Sequence, residues 1–147
     1  MDIYQAGIED LKGAAGLFNS YRISYQQMPD MDGAEAFLKE RLENRDSVIF
    51  IAKEGQSYLG FVQLYPTFSS IGMKRAWILN DLYVEQGVRK QGVGQILLQK
   101  AKEFAVQTGA KSLSLSTAPD NHAAQRLYEK NGYVRDTQFY QYELNLT

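Results

Sequence analysis

The stretch Val88 to Gln95, V-R-K-Q-G-V-G-Q, stands where an alternating segment gives way to a long amphipathic one. Trp77 to Val84 (W-I-L-N-D-L-Y-V) is rich in β-branched and aromatic residues and ends at the polar turn Glu85 to Gly87, so it reads as a half-buried strand. Beyond the junction Val93, Ile96, Leu97, Ala101, Phe104 and Ala105 recur at helical spacing, with Gln95, Gln99, Lys102 and Glu103 opposite and Gly109 as the stop. A strand feeding such a helix leaves first-turn N–H groups without intrahelical acceptors, and Gly92 and Gly94 let a ligand approach the main chain. With Arg89 and Lys90 adding positive charge, the junction favours an anion.

The anion narrows by exclusion. A dinucleotide fingerprint needs a third glycine where Leu97 stands, and a mononucleotide loop needs lysine where Gln95 follows Gly94. What remains is R-x-x-G-x-G, Arg89 to Gly94, which a glycine-softened helix start also fits. A second constellation follows. Lys111 to Thr117 (K-S-L-S-L-S-T) alternates as a strand, and N-H-A-A-Q-R-L-Y-E-K-N-G-Y then reads as a short helix capped by Asp120 or Asn121 and stopped by Gly132. Asn121, Ala124, Gln125 and Tyr128 share one face of it, an arrangement that ordinary packing and capping also explain.

The two motifs in this order, L-N-D-L-Y-V with R-K-Q-G-V-G and then N-x-x-A-x-x-L-Y-x-K-x-G-Y, resemble the GNAT family of N-acetyltransferases. The resemblance implies an α+β fold, a mixed and mostly antiparallel sheet flanked by helices, as one domain over residues 1–147. It implies acetyl-coenzyme A as the acetyl donor and a primary amine of a small molecule, amino acid, peptide or protein as acceptor, attacked directly in a ternary complex. By that resemblance the main chain of Leu82, Tyr83 and Val84 lies along the pantetheine arm where this strand and the one after Lys111 splay apart, and a Val84 amide polarises the thioester. Arg89, Lys90, Gln91, Gly92, Val93, Gly94 and Gln95 surround the pyrophosphate, Asn121 reaches the pantetheine or phosphate arm, and Tyr128 stands beside the sulfur as proton donor. Homodimerisation through the C-terminal strands is a further implication.

The base is less clearly written. An alkylammonium must lose its proton before it attacks, and Asn80 stands where many similar chains carry an acid. Asparagine holds an amine or a water but accepts no such proton. Asp81 is adjacent, and strand neighbours face opposite ways unless a bulge rotates one of them. The site residues expected to act in catalysis are therefore Tyr128, Asn80 and Asp81. If none of them serves as base, the alternative is a catalytically silent acetyl-coenzyme A sensor or interaction domain. Acceptor contacts are expected from the less regular segments, with Tyr21, Tyr25, Tyr65 and Phe68 forming an aromatic slot beside Asn80, although such rings also pack helix against strand.

Composition sets the outer bounds. With 147 residues, 44% hydrophobic and 22% charged, the chain holds about one core. A net charge of −1 offers no basic field for nucleic acid. The absence of cysteine excludes disulfides, thiolate metal sites and a cysteine nucleophile. No other metal site is expected, since D-M-D-G at Asp30 lacks the calcium-loop spacing. His122, the sole histidine, has no serine elbow to serve and reads as an exposed first-turn residue. No signal sequence or membrane span is evident, and a cytoplasmic location is the expectation. The remaining elements read as a strand over Ile3 to Gly7, a helix from Ile8 toward Tyr21 and a second helix capped by Asp32 with Glu35. Strands follow at Val48 to Ala52 and Tyr58 to Tyr65, then the loop Pro66 to Lys74, and a last strand over Phe139 to Leu146.

Overall fold

A computed structural model describes residues 1–147 and divides them into two compact units, Met1–Ser116 and Thr117–Thr147. The first unit contains β1 (Asp2–Gln5), a 3₁₀ turn (Ile8–Asp10), α1 (Leu11–Ser24), α2 (Met31–Asn44), β2 (Val48–Glu54), β3 (Ser57–Ser69), β4 (Lys74–Val84), α3 (Val93–Gln107) and β5 (Leu113–Ser114). The strands lie side by side in chain order; β1 to β4 are antiparallel, and β5 runs parallel to β4. A five-stranded mixed sheet with helices on both faces is the architecture expected.

Strand alternation sorts the core. Ile49, Ile51, Phe61 and Tyr83 face Ala14, Ala15, Leu17 and Phe18 of α1 and Ala34 and Leu38 of α2. The intervening residues meet α3, where Phe104 packs against Phe50 at 5.4 Å and against Trp77 at 5.1 Å between ring centroids. β1 is tied down by charge as well as by pairing. Buried Asp10 accepts hydrogen bonds from the hydroxyls of Tyr4 (2.7 Å) and Tyr58 (2.9 Å) and from the Gly7 N–H (3.0 Å). Burial alone would raise its pKa, but these donors and nearby Lys53 outweigh burial and hold the carboxyl below its ordinary value. Gly13 makes the contact with Tyr58 possible, because a Cβ there would overlap the Tyr58 ring.

Four expectations are corrected. The loop expected over Pro66 to Lys74 shrinks to residues 70–73, because β3 runs on to Ser69 and β4 starts at Lys74, the two pairing throughout. The cap of α2 is Asp30, whose carboxylate accepts from the Gly33 N–H at 2.9 Å; Asp32 falls inside the first turn. β5 covers only Leu113–Ser114 of the alternating run 111–117. The strand over Phe139–Leu146 does not form, and the second unit holds one regular element, α4 (His122–Lys130). Alternation licenses a strand only when a neighbour accepts its ladder, and within this unit no segment pairs with 139–146. Phe139, Tyr140, Tyr142, Leu144 and Leu146 are all exposed. No helix is long and apolar enough to cross a membrane.

Because Asp10 titrates below its usual value of 3.8, its bonds stabilise the fold above that pH, and the contribution is lost as the pH falls through the folded-state value. Tyr58→Phe should cost about 1.5–3 kcal/mol in urea unfolding at pH 7, with the penalty shrinking in acid. Gly13→Ala, which displaces the ring, should cost at least as much.

Candidate active site

The pairing of β3 with β4 slips by one residue. Gln63 lies opposite Asp81 while its neighbour Leu64 lies opposite Leu79, so Asn80 is an extra residue on β4. Its effect can be followed on both sides. Before the slip the Trp77 N–H points outward, to the Ser112 carbonyl at 3.0 Å; after it the Glu85 N–H points inward, to the Leu59 carbonyl at 2.9 Å. The ladder phase has inverted. With Tyr83 opposite Phe61, alternation directs the N–H and C=O groups of Leu82 and Val84 to the edge away from β3. β5 pairs only with Trp77 and Ile78, so no strand occupies that edge beside Leu82 and Val84.

The side chains invert too. Trp77 packs on α3, but Asp81 and Tyr83 fall on the α1 face. Asp81 is thereby 3% exposed and accepts from Gln63 Nε2 at 2.5 Å and from Asn80 Nδ2 at 3.0 Å. Burial pushes its pKa above the ordinary carboxylate range, against the lowering effect of hydrogen bonds from Gln63, Asn80 and Tyr21. The Tyr21 hydroxyl also lies 3.4 Å from the Asn80 carbonyl. Tyr21 packs against Tyr25 at 5.1 Å, Phe61 at 5.9 Å and Tyr83 at 6.3 Å. Burial, followed by the field of Asp81, raises the phenols of Tyr21 and Tyr65, the latter to about 12. Asn80 itself is exposed.

Of the rings expected in an acceptor slot, Tyr21 and Tyr65 therefore lie beside Asp81, and Tyr25 packs on Tyr21 while staying 58% exposed. Phe68 is not brought there. It is 70% exposed, three residues past Tyr65 and so on the opposite face of β3, with Arg75 stacked over both it and Trp77. Gln63 is the site residue that sequence reasoning missed, although a glutamine inside the run L-G-F-V-Q-L was its signal.

The loop before α3 has the form an anion needs. Lys90 (φ 65°) and Gly92 (φ 84°) are both left-handed, and the N-cap position of α3 is Gly92, which has no side chain to cap the helix. Arg89 folds back on β4, its Nε donating to the Val84 carbonyl at 2.9 Å and its guanidinium lying over the Tyr83 ring. Gln91 is exposed and Val93 buried; Gly94 and Gln95 are half-buried in the first turn. In the second unit the Asn121 side chain caps α4 by accepting from the Ala124 N–H at 3.2 Å, so its oxygen is committed locally. Gln125 ties α4 back to the carbonyls of Ala118 and Pro119, and the rings of Tyr128 and Tyr133 lie 5.9 Å apart. His122 is exposed, as expected.

Residues 14–133 match the model of the acetyltransferase (GNAT) family. The chain belongs to that family. It is 54% identical to the uncharacterized N-acetyltransferase YhfO of Bacillus subtilis, over 99% of this chain and 98% of that one. The crystal structure of a probable acetyltransferase, 42% identical, superposes with a TM-score of 0.95 over 100% of this chain and 99% of its own. An aminoglycoside N-acetyltransferase in complex with CoA, 20% identical and with a TM-score of 0.81 over 99% of this chain and 95% of that one, shares the fold. This GNAT protein is accordingly an acetyltransferase, and its fold is the family's.

The bulge predicts a sharp contrast between two variants. Inserting one residue between Gln63 and Leu64 gives Asn80 a partner and removes the slip, so that alternation turns Asp81 toward α3, and should cost roughly 3 kcal/mol or more in thermal unfolding. Asn80→Ala keeps the extra residue and should cost about 1 kcal/mol. Equal stability of the two would count against this role for the bulge.

Proposed function

We propose that this GNAT protein transfers an acetyl group from acetyl-coenzyme A to a primary amine of a small molecule, amino acid or peptide, with Asp81 as the general base. The observation that carries the reading is the buried Asp81 carboxylate, turned by the bulge to the α1 face, where its charge raises the phenols of Tyr21 and Tyr65. Its raised pKa makes it a stronger proton acceptor than an exposed aspartate, and the rings suit a cationic amine that must shed a proton. This supplies the base that Asn80 lacks and favours an active enzyme over a silent sensor.

Acetyl-coenzyme A supplies an activated thioester. In this reading the outward main-chain groups of Leu82 and Val84 pair with the pantetheine arm. The Val84 N–H faces the thioester oxygen, where a donor in a water-poor site contributes a few kcal/mol to the developing oxyanion. The amides around Gly92 and the α3 N-terminus, with Lys90, hold the pyrophosphate. Arg89 is placed to brace the loop through Val84 and Tyr83. Tyr128 donates a hydrogen bond or proton from its hydroxyl to the departing sulfur. The open acceptor class is supported by the single carboxylate in the slot, which fits one ammonium better than a polycation.

Thiol release from acetyl-coenzyme A across a panel of amines, amino acids and peptides, with mass confirmation of the product, tests the activity. Asp81→Asn should lower kcat at least a hundredfold and Tyr128→Phe about tenfold or more, each with little change in donor affinity. The acid limb of kcat/KM should lie above the usual carboxylate range, because Asp81 must be ionised to act. Gly92→Val, forced into a left-handed backbone and crowding the phosphates, should weaken donor binding at least tenfold by calorimetry. Unchanged affinity would remove the loop from the donor site. A cytoplasmic homodimer belongs to the same reading, supported by the exposed apolar side chains of 139–146. Light scattering should give twice the 16.7 kDa of the chain, and removal of 139–147 should give the monomer; a full-length monomer would reject the dimer.

A further inference from the structure

Two side chains outside the acceptor slot form a chain of hydrogen bonds ending on Asp81. Ser47, half-buried in the turn between α2 and β2, donates from Oγ to Gln63 Oε1 at 2.9 Å, and Gln63 Nε2 donates to Asp81 Oδ2 at 2.5 Å. Gln63 is fully buried, so its amide has few partners to choose among. An amide offers an acceptor on one side and donors on the other, whereas an ionised carboxylate only accepts. The ionised carboxylate therefore selects the rotamer that turns the NH₂ toward Asp81, since the flipped amide would set oxygen against carboxylate, and the Ser47 hydroxyl holds that rotamer by donating to Oε1. A glutamine at this depth in an apolar strand costs stability unless both ends are satisfied, and both are.

We propose that Gln63 and Ser47 are positioning residues for acetyl transfer, Ser47 fixing the Gln63 amide and Gln63 aiming the Asp81 carboxylate at the acceptor ammonium. The proposal rests on the reading of Asp81 as base. Other groups facing Asp81 are Tyr21 from α1, against which Tyr25 and Tyr83 pack, Tyr65 on β3, and Asn80 on its own strand, with the Arg41–Asp46 ion pair acting on Tyr65. These stay in place when Gln63 or Ser47 is changed. Loss of the Gln63 donor removes an interaction made only with the charged carboxylate, so the Asp81 pKa moves up.

The test is a carbon-13 carboxyl titration of Asp81 by NMR, its signal assigned with Asp81→Asn, run beside pH profiles of kcat/KM. Gln63→Met should raise the Asp81 midpoint by about one unit, moving the acid limb of kcat/KM equally and lowering the rate about tenfold below it. Ser47→Ala should shift both in the same direction by about half a unit, and Ser47→Thr should restore the original profile. Should Gln63→Met fail to fold, Ser47→Ala decides alone. An Asp81 midpoint unmoved in the folded variants overturns the proposal, even if the rate falls. If instead Asp81→Asn keeps full activity while the midpoints shift as expected, the hydrogen-bond chain stands and the base reading fails.

Discussion

The site depends on one extra residue in one strand. Asn80 inverts the phase of β4, and the inversion does two things that no side-chain substitution achieves. Side chains after the bulge change face, which moves Asp81 from the α3 side to the α1 side. Main-chain groups change direction, which gives Leu82 and Val84 an open edge. A regular strand would pack Asp81 where Leu79 and Trp77 pack, burying a carboxylate among apolar groups. The buried carboxylate and the outward backbone groups are thus set by the same irregularity, and their relative placement is built into the sheet.

Burying the carboxylate costs free energy, and the hydrogen bonds around it offset part of that cost. Asp10 and Asp81 show two outcomes of that contest. Both are 3% exposed, and both accept from phenols or amides. At Asp10 two tyrosines, a backbone N–H and nearby Lys53 win, and the pKa is depressed; the group is locked as an anion and its role is structural. At Asp81 burial wins over three donors and the pKa rises. A carboxyl left with a raised pKa in a native protein is a candidate for proton transfer, because its two protonation states are closer in free energy.

Much of the first unit was legible in the chain. Period-two and helical spacing marked every strand and helix up to Leu113, and the paired glycines before α3 marked its entry. What sequence could not show was the slip at Asn80, since W-I-L-N-D-L-Y-V alternates acceptably in either register and the choice is made by β3. Without the slip the orientation of Asp81 stays open, and so does the role of Gln63. The tail misled for the opposite reason. Its alternation at Tyr140, Tyr142, Leu144 and Leu146 is clean, but a strand is a property of two segments, and one sequence reports only one of them. Phe68 went astray by counting: it shares a loop-proximal position with Tyr65 but not a face.

The chemistry around Asp81 bears on what the slot accepts. Tyr21 and Tyr65 have phenols raised by burial and by the carboxylate, so they stay neutral at any working pH; in the proposed reading Asp81 is then the charge that an incoming ammonium meets. Aromatic faces add attraction for a cation that is strongest when water is excluded. A single charge between rings rewards one ammonium and the apolar body attached to it, and gives a second cationic centre nothing to pair with. In that reading the wall that selects the amine is also the wall that raises the pKa of Asp81. If Asp81 is the base as proposed, opening the wall to bulkier acceptors would admit water, lower that pKa and weaken it, which couples specificity to proton transfer through one set of side chains.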